Sequence, residues 1–533
     1  MKNSLHTDPL KLKDLLWPHV TFYDKQIEVI YSVWNNDETI VPAGNMLGKD
    51  FVAGFIVIAA FLTRTPCRIV TTSVKGEHLD VLWGEIGRYI DEAEYSLDSR
   101  KGGPLIVNHH LLRKIVGGKL CKLSYVKGMV ASDETKDAFG GHHIAKVGDG
   151  VWRTMLVGDE ASGLKNSWLE RAEKWRERLF LFGNPWECPL NYFRESVEGK
   201  PGGTPGGDIF APDGHCERKV IRIRAEDSPN VKYGLAQKAR KKTPTDEMVI
   251  PGVLSYREYC KRRRRYDPIQ QCVSLDARWY KGPSVDMFPE EWLRAAEERA
   301  TRLKKRTAKT MGVDSAMGAD NTAWAVGDEL GLIDLVSEKT PDTSSIPGTT
   351  LALMRLHGLM YNPQGVLFDY GGGGKPHVDR LRRQGYNVRA INFGASATVE
   401  KRRGITPLEK RKQADEIRVA FKNRRAEMYY LFRERLDPSF HTPYAIPSEL
   451  LHKPRPDGGP SLFQQLRVVP LYYDEEGRVY LPPKRAKSDD PKGEDRDTMS
   501  KRTGCSPDEA DAVVLQVYGI ARTTFKATAG VMM

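Results

Sequence analysis

Short apolar runs alternate with amphipathic stretches through roughly the first 230 residues, and that alternation sets the expected fold. ETIVPAG, CRIVTTS, TMLVGDE and RLFLFGNP each read as a strand buried on both faces and ending in a loop. Such runs belong to a largely parallel sheet in an α/β domain, whose functional loops gather at the carboxyl ends of the strands. The stretch 198–216, EGKPGGTPGGDIFAPDGHC, is crowded with Gly and Pro and reads as an irregular loop. From 231 to 305 the pattern is helical and strongly basic, including the run Lys261 to Arg265. That run is either a solvated face or a contact for phosphates.

The pattern changes after Arg306. AKTMGVDSA, NTAWAVGDE and GLIDLVSE are closely spaced strands, followed by an amphipathic helix, TTLALMRLHGLM, and a further strand, GVLFDYGGGG. Three strands joined by tight turns, then a helix crossing to a fourth, is the element order of a ribonuclease-H-like nuclease. The tail after Arg522 carries no element signal.

Size and charge narrow the picture. A chain of 533 residues exceeds what one hydrophobic core usually spans. Lys and Arg total 82 against 70 Asp and Glu, a formal net charge of +12, which favours a polyanionic partner or a solvated basic surface. The seven cysteines are scattered without CxxC spacing, as expected of reduced thiols and not of a zinc site. No leader pattern opens the chain and no apolar run reaches the roughly 18 residues of a membrane span, so a soluble intracellular protein is expected.

The loop AGNMLGKD, between a strand and the apolar stretch DFVAGFIVIAAFL, overlays the phosphate-loop pattern GxxxxGK(S/T) with two departures: Ala43 replaces the first Gly and Asp50 the hydroxyl residue. Gly44 and Gly48 let the backbone curl so that its N–H groups converge on phosphate oxygens, and Lys49 supplies the positive charge. Asp50 is expected to hold Mg²⁺ directly or through water. Asp159 and Glu160 end a later strand, where the first carboxylate would hold Mg²⁺ and the second would orient or deprotonate the attacking water. Such an acidic pair also serves as a helix cap. Asn184, at the end of RLFLFGNP, stands where a polar group senses the terminal phosphate. Upstream, Tyr23 and Gln26 either read adenine, by stacking and by amide hydrogen bonds, or simply start an amphipathic helix.

In the second half, Asp314 ends the first strand, Asp369 ends the fourth, and Asp508 and Asp511 lie at the start of a C-terminal helix in SPDEADAVVLQVYG. Acidic oxygens gathered from distant elements suit two divalent ions roughly 3.5–4 Å apart around a phosphodiester, Mg²⁺ or alternatively Mn²⁺. Asp508 and Asp511 share a helical face; Asp508 also makes a good helix start, so Asp511 is the preferred ligand. Asp320 is a fourth carboxylate or a turn residue. Gly371 to Gly374 is either a close approach for DNA or a turn. The pair His142–His143 lacks a third metal ligand at suitable spacing, and the helix around KRKQADEIRVAFKNRRAEMYYLFRERL mixes basic and aromatic residues that contact DNA or pack on the sheet.

Taken together these motifs resemble the large terminase subunits of tailed double-stranded DNA bacteriophages. The resemblance runs from about Tyr23 to Tyr518 and rests on GKD, DAFGGHHIAKV, VGDEASG, FGNP, MGVDSAMGADNTA, VLFDYGGGG, NRRAEMYYLFRERL and KRTGCSPDEADAVVL in that order. It implies an α/β protein with an N-terminal P-loop ATPase domain on a parallel-rich sheet (1–230), a basic helical subdomain and linker (231–305), and a C-terminal RNase-H-like endonuclease domain on a mixed sheet (306–533). Its cofactors would be ATP and Mg²⁺. It implies an ATP-driven motor that threads double-stranded DNA into a procapsid and cuts concatemers at initiation and termination, with Asn184 coupling hydrolysis to movement. The implied partners are the portal protein, a small terminase subunit and further copies of the chain in a ring of five, with no membrane. The implied location is the infected host's cytoplasm and, transiently, the procapsid portal, but not the mature virion. VPAGNMLGKD carries no Arg, unlike many relatives. Two other readings predict different activities: a helicase or translocase that hydrolyses ATP without cutting, and an RNase-H-like recombinase with a structural N-terminal domain.

Overall fold

In the computed structural model the described residues are 7–132, 140–145, 148–188, 191–200, 203, 205–316, 321–398, 419–455, 457–486 and 496–529. They pack as two units, Met1–Gly282 with Asp474–Gly477, and Pro283–Tyr473 with Arg478–Met533. No described helix is long and apolar enough to cross a membrane.

The first unit is built on nine strands: β1 (Glu38–Pro42), β2 (Arg68–Ser73), β3 (Leu105–Asn108), β4 (Leu111–Val116), β5 (Lys119–Val130), β6 (Thr154–Gly158), β7 (Arg178–Gly183), β8 (Ile209–Phe210) and β9 (Cys216–Val220). Their order is β3-β4-β5-β2-β6-β7-β1-β9-β8. The strands from β5 to β9 in that order run parallel, and antiparallel pairs close both edges. The four strands expected from the apolar runs are β1, β2, β6 and β7. Pro42 pairs with Gly183, and Gly158 with Leu181, so the loops after β1, β6 and β7 leave from one edge.

Between β1 and β2 runs helix α2 (Lys49–Thr63), preceded by α1 (Asp24–Asn35) and followed by α3 (Gly76–Asp91). Every residue of α2 from Val52 to Phe61 is buried, as an all-round apolar helix must be. Trp17, Phe55 and Tyr89 stack edge to face, with centroids 5.8 and 5.4 Å apart. Past its last turn, Arg64 is buried with its guanidinium 3.8 Å from the ring centroid of Trp152 and 4.6 Å from that of Trp34. Lys114 of β4 donates to the carbonyls of Phe61, at 2.7 Å, and Arg64, which satisfies the carbonyl end of α2.

The glycine-rich stretch 198–216 includes β8 and leads into β9. Residues 231–282 pack in the first unit and 283–305 in the second. Within the basic run Lys261 to Arg265, Arg262 is buried and bonds Glu258 at 2.9 Å, whereas Arg264 and Arg265 are exposed.

The second unit carries a five-stranded mixed sheet of β10 (Thr310–Asp314), β11 (Asn321–Asp328), β12 (Gly331–Lys339), β13 (Val366–Asp369) and β14 (Arg389–Ile391), ordered β12-β11-β10-β13-β14. The first three are antiparallel; β13 and β14 run parallel to β10. Helix α4 (Ile346–Leu356) makes the crossover between β12 and β13. This is the ribonuclease-H-like topology anticipated from the element order. A small third sheet joins Ala420–Phe421, Tyr472–Tyr473 and Arg478–Tyr480.

Helices α5 (Arg424–Leu436) and α6 (Asp508–Ala529) complete the unit, and α6 extends through most of the tail that gave no signal in sequence. At Gly312 there is no room for a side chain unless the helix shifts: a Cβ there would lie 2.1 Å from the Ala512 carbonyl oxygen. Tyr444 donates to Gln516 at 2.6 Å, and Gln516 donates to Thr310 at 2.8 Å, fixing α6 against β10. The close approach brings the start of α6 to the carboxyl end of β10.

Candidate functional sites

The loop after β1 is held by its own backbone. Ala43, Gly44 and Asn45 N–H donate to Gly183, Ile223 and Ser274 carbonyls at 3.0, 2.9 and 2.9 Å. The next N–H groups, from Met46 to Lys49, have no backbone acceptor among the described residues. They stand at the N-terminus of α2, where unpaired donors and the helix dipole favour an anion. Gly48 adopts φ 71°, and a Cβ there would meet Gln26 Nε2 at 2.6 Å. A Cβ on Gly44 would lie 2.6 Å from Ser274 O.

Tyr23 OH and Gln26 Nε2 both donate to Leu47 O, at 2.9 and 3.3 Å, while Gln26 Oε1 accepts the Tyr23 N–H. Both residues are buried, and Gln26, in the first turn, caps the Tyr23 N–H at the start of α1. They therefore brace the phosphate-type loop from beneath and start a helix at the same time.

Lys49 Nζ lies 3.1 Å from Glu160 Oε1. Burial alone would lower its affinity for the proton, but Glu160, Asp50 and Asp159 around it raise it. Asp159, 3% exposed, accepts the Glu160 N–H at 2.7 Å. Burial, then Asp50 and Glu160, push its carboxyl well above the ordinary range. Asp50 is also raised by burial, against the pull of Lys49. Glu160 is lowered: burial opposes this, and Lys49 with His78 overcomes it. Asp50 Oδ1 and His78 Nδ1 are buried without a hydrogen-bond partner among the described residues. Three carboxylates around one lysine leave surplus buried negative charge, which a divalent cation would relieve, so the donor set fits Mg²⁺.

Asn184, 4% exposed, donates to Ala43 O at 2.7 Å, and its own carbonyl accepts Ser162 Oγ at 2.5 Å. It ties the beginning of the loop to the segment after Asp159 and Glu160.

The second site lies at the carboxyl ends of β10 and β13 and the start of α6. Asp314, Asp369, Asp508 and Asp511 are all buried and electrostatically linked. Lys484 Nζ sits 2.9 Å from Asp314 Oδ2 and 2.7 Å from Asp511 Oδ2. Tyr429 OH donates to Asp511 Oδ1 at 2.8 Å, and Arg425 Nε reaches the same oxygen at 3.4 Å. Burial pushes the Asp314 carboxyl up; Lys484 opposes it, and the three other acids add to it. Burial likewise raises Asp369. Asp511 stays low because Arg425, Lys484 and Tyr429 outweigh burial.

Oxygen-only donors, with the Asp314 and Asp369 carboxyls raised by burial, fit a hard divalent cation. Their spacing is wide: among the described residues only Asp80, His109 and His110 bring three donor atoms within 4.8 Å. Here Lys484 holds the centre.

Lys484, Arg425 and Tyr429 escaped the sequence reading. Arg425 and Tyr429 stand four apart on α5, the basic-aromatic helix, and turn a buried face to Asp511. Lys484 follows two prolines on an irregular segment with no periodicity to mark it. The glycine run is a packed turn in which Asp369 Oδ1 accepts the Gly371 N–H at 3.1 Å, and a Cβ on Gly374 would lie 2.2 Å from Asp369 O. Asp320 lies outside the described residues. His142 is buried, its Nδ1 2.5 Å from Tyr125 OH, and joins no group of three metal-donor atoms among the described residues.

The fold and sites define a two-unit α/β protein: a phosphate-loop unit on a parallel-rich sheet and an RNase-H-like unit bearing buried acids. The solved structures it resembles include large terminases and their ATPase and nuclease domains. A large terminase from a thermophilic bacteriophage, in complex with ADP, aligns over 95% of this chain and 100% of its own at 12% identity and TM-score 0.46. The nuclease domain of the large terminase subunit gp2 of bacterial virus Sf6 covers 44% of this chain and 98% of its own at 19% identity and TM-score 0.32. The ATPase domain of the Thermus phage P74-26 large terminase covers 51% of this chain and 98% of its own at 14% identity and TM-score 0.33. No family model and no curated protein matches the sequence.

Proposed function

We propose that the protein is the large subunit of a viral DNA-packaging terminase, hydrolysing ATP in its first unit and cutting double-stranded DNA in its second. The observation that carries this reading is the presence in one chain of two separate buried acidic sites, one paired with a lysine beside a phosphate-type loop, Lys49 with Glu160, and the other gathered from Asp314, Asp369, Asp508 and Asp511.

In the first unit the free loop N–H groups and Lys49 bind the phosphates, Asp50 and Asp159 hold Mg²⁺, and Glu160 orients the attacking water and accepts its proton. Asn184, bonded to the loop start, relays loss of the terminal phosphate. In the second unit Asp314, Asp369 and Asp511, with Asp508 beside them, hold Mg²⁺ or Mn²⁺. Bound there, such ions supply Lewis-acid stabilisation of charge on the phosphate oxygens. The net charge of +12 favours the DNA partner. As such a motor the chain would work as a ring of five copies on the portal of a procapsid in the infected cell, receiving DNA from a small terminase subunit.

Purified protein with Mn²⁺ is expected to nick supercoiled plasmid. Asp314→Asn abolishes nicking and spares ATP hydrolysis; Lys49→Ala does the reverse. ATP hydrolysis with intact plasmid under all metal conditions would instead identify a translocase without a cutting domain. Packaging itself is read by ATP-dependent protection of DNA from added nuclease in purified procapsids.

A further inference from the structure

The chain contains two adjacent-histidine pairs, and the fold treats them oppositely. His142 is buried against Tyr125 and Trp175. His109 and His110 form the turn between β3 and β4, beside Asp80 near the start of α3. The Nε2 atoms of His110 and His109 lie 2.9 and 4.0 Å from Asp80 Oδ1. Their rings stack with centroids 3.9 Å apart. One donor atom from each of the three residues falls within 4.8 Å of the other two.

His110 is held in place by its surroundings. Its φ of 51° is one that side-chain-bearing residues rarely adopt, and such strain persists only where neighbours enforce it. Its carbonyl accepts the Gly128 N–H at 2.9 Å, and its ring lies 5.4 Å from that of Trp83. Trp83 is itself anchored by its indole N–H on Thr71 Oγ1 at 2.9 Å. Gly128 makes the room: a Cβ there would meet Trp83 Nε1 at 2.6 Å and His110 Cβ at 3.1 Å. His109 and Asp80 are exposed, so the group is open to solvent and the outer ligand can close on an ion.

We propose that Asp80, His109 and His110 form a binding site for a borderline divalent transition-metal ion of the Zn²⁺ class, with the remaining position taken by water. Two imidazoles and one carboxylate suit such an ion, in contrast to the oxygen-only acids of the other two sites. The ion ties the tip of the β3–β4 hairpin to α3.

The test uses the full-length chain without a histidine tag, titrated with Co²⁺ as spectroscopic probe in excess Mg²⁺, which fills the oxygen sites. The expected result is the visible absorption of imidazole-bound, four-coordinate Co²⁺, displaced by Zn²⁺. His109→Ala, at an exposed position, and Asp80→Asn each weaken binding by about tenfold or more, and Asp314→Asn leaves it unchanged. Absence of that absorption in the wild type, or unchanged affinity and spectrum in His109→Ala, overturns the assignment.

Discussion

Lys49 Nζ and Glu160 Oε1, 111 positions apart in sequence, meet at 3.1 Å across the phosphate-type loop. The lysine that would bind phosphate is thus engaged by the carboxylate that would activate water, and nucleotide binding must separate them. Glu160→Gln removes the charge that holds Lys49. The variant is expected to bind a fluorescent ATP analogue more tightly than wild type, while hydrolysis falls by about 10²–10⁴-fold for loss of the general base. Weaker binding together with unaltered turnover would show that Glu160 holds neither role.

Lys484 occupies the corresponding place in the second unit, between Asp314 and Asp511. Truncating one member of a buried ion pair leaves uncompensated charge and costs roughly 3–5 kcal/mol. Lys484 keeps 30% of its side chain exposed, so about 2–3 kcal/mol is expected for Lys484→Ala without metal. Mn²⁺ replaces the lost positive charge, so it should raise the thermal midpoint of the variant more than that of wild type. Equal Mn²⁺ effects in the two proteins would remove Lys484 from its role as the resident counter-charge.

Gly312 is where α6 crosses β10, with the Ala512 carbonyl oxygen 2.1 Å from the position of a Cβ. Backbone cannot yield there as a flexible side chain would, so Gly312→Ala must push the helix outward. Overpacking of this kind costs about 1–3 kcal/mol. It also shifts Asp511 relative to Asp314. The expected signature is plasmid nicking reduced out of proportion to the loss of stability, with ATP hydrolysis retained; nicking at the wild-type rate in a folded variant would separate helix position from the acidic site.

What was legible in the sequence divides along a physical line. The runs behind β1, β2, β6, β7, β10, β11 and β13 are buried on both faces and stand out as apolar blocks. Their carboxyl ends carry Asp159, Asp314 and Asp369, so strand-end position led directly to those acids. The antiparallel edge β3–β4–β5 was not read, because β4 and β5 are buried on one face only and mix Lys with apolar residues. Lys484 and Arg425 were missed for a related reason. A basic side chain in sequence looks solvated, and only the tertiary arrangement turns it into the counter-charge of a buried acid. Gln26 shows the remaining ambiguity: its spacing from the loop is visible, but its engagement with Leu47 O and the Tyr23 N–H is not.

Lys114 offers a test by pH. It is 4% exposed, donates to the Phe61 and Arg64 carbonyls at the end of α2, and burial lowers it from 10.5 to about 8. Below pH 8 the folded and unfolded chains both hold this proton, and burying the charge costs a constant amount. Between about 8 and 10.5 the unfolded state binds more protons, so the contribution of Lys114 to stability rises with pH through that window. The gap between the two values corresponds to on the order of 3 kcal/mol. Lys114→Met removes the titrating group and the cap together, leaving the other lysines and tyrosines to titrate as before. The difference in urea-unfolding free energy, wild type minus variant, should therefore be flat below pH 8 and climb above it. A difference that stays level across the window would place the Lys114 proton affinity at its ordinary value and its ammonium in contact with water.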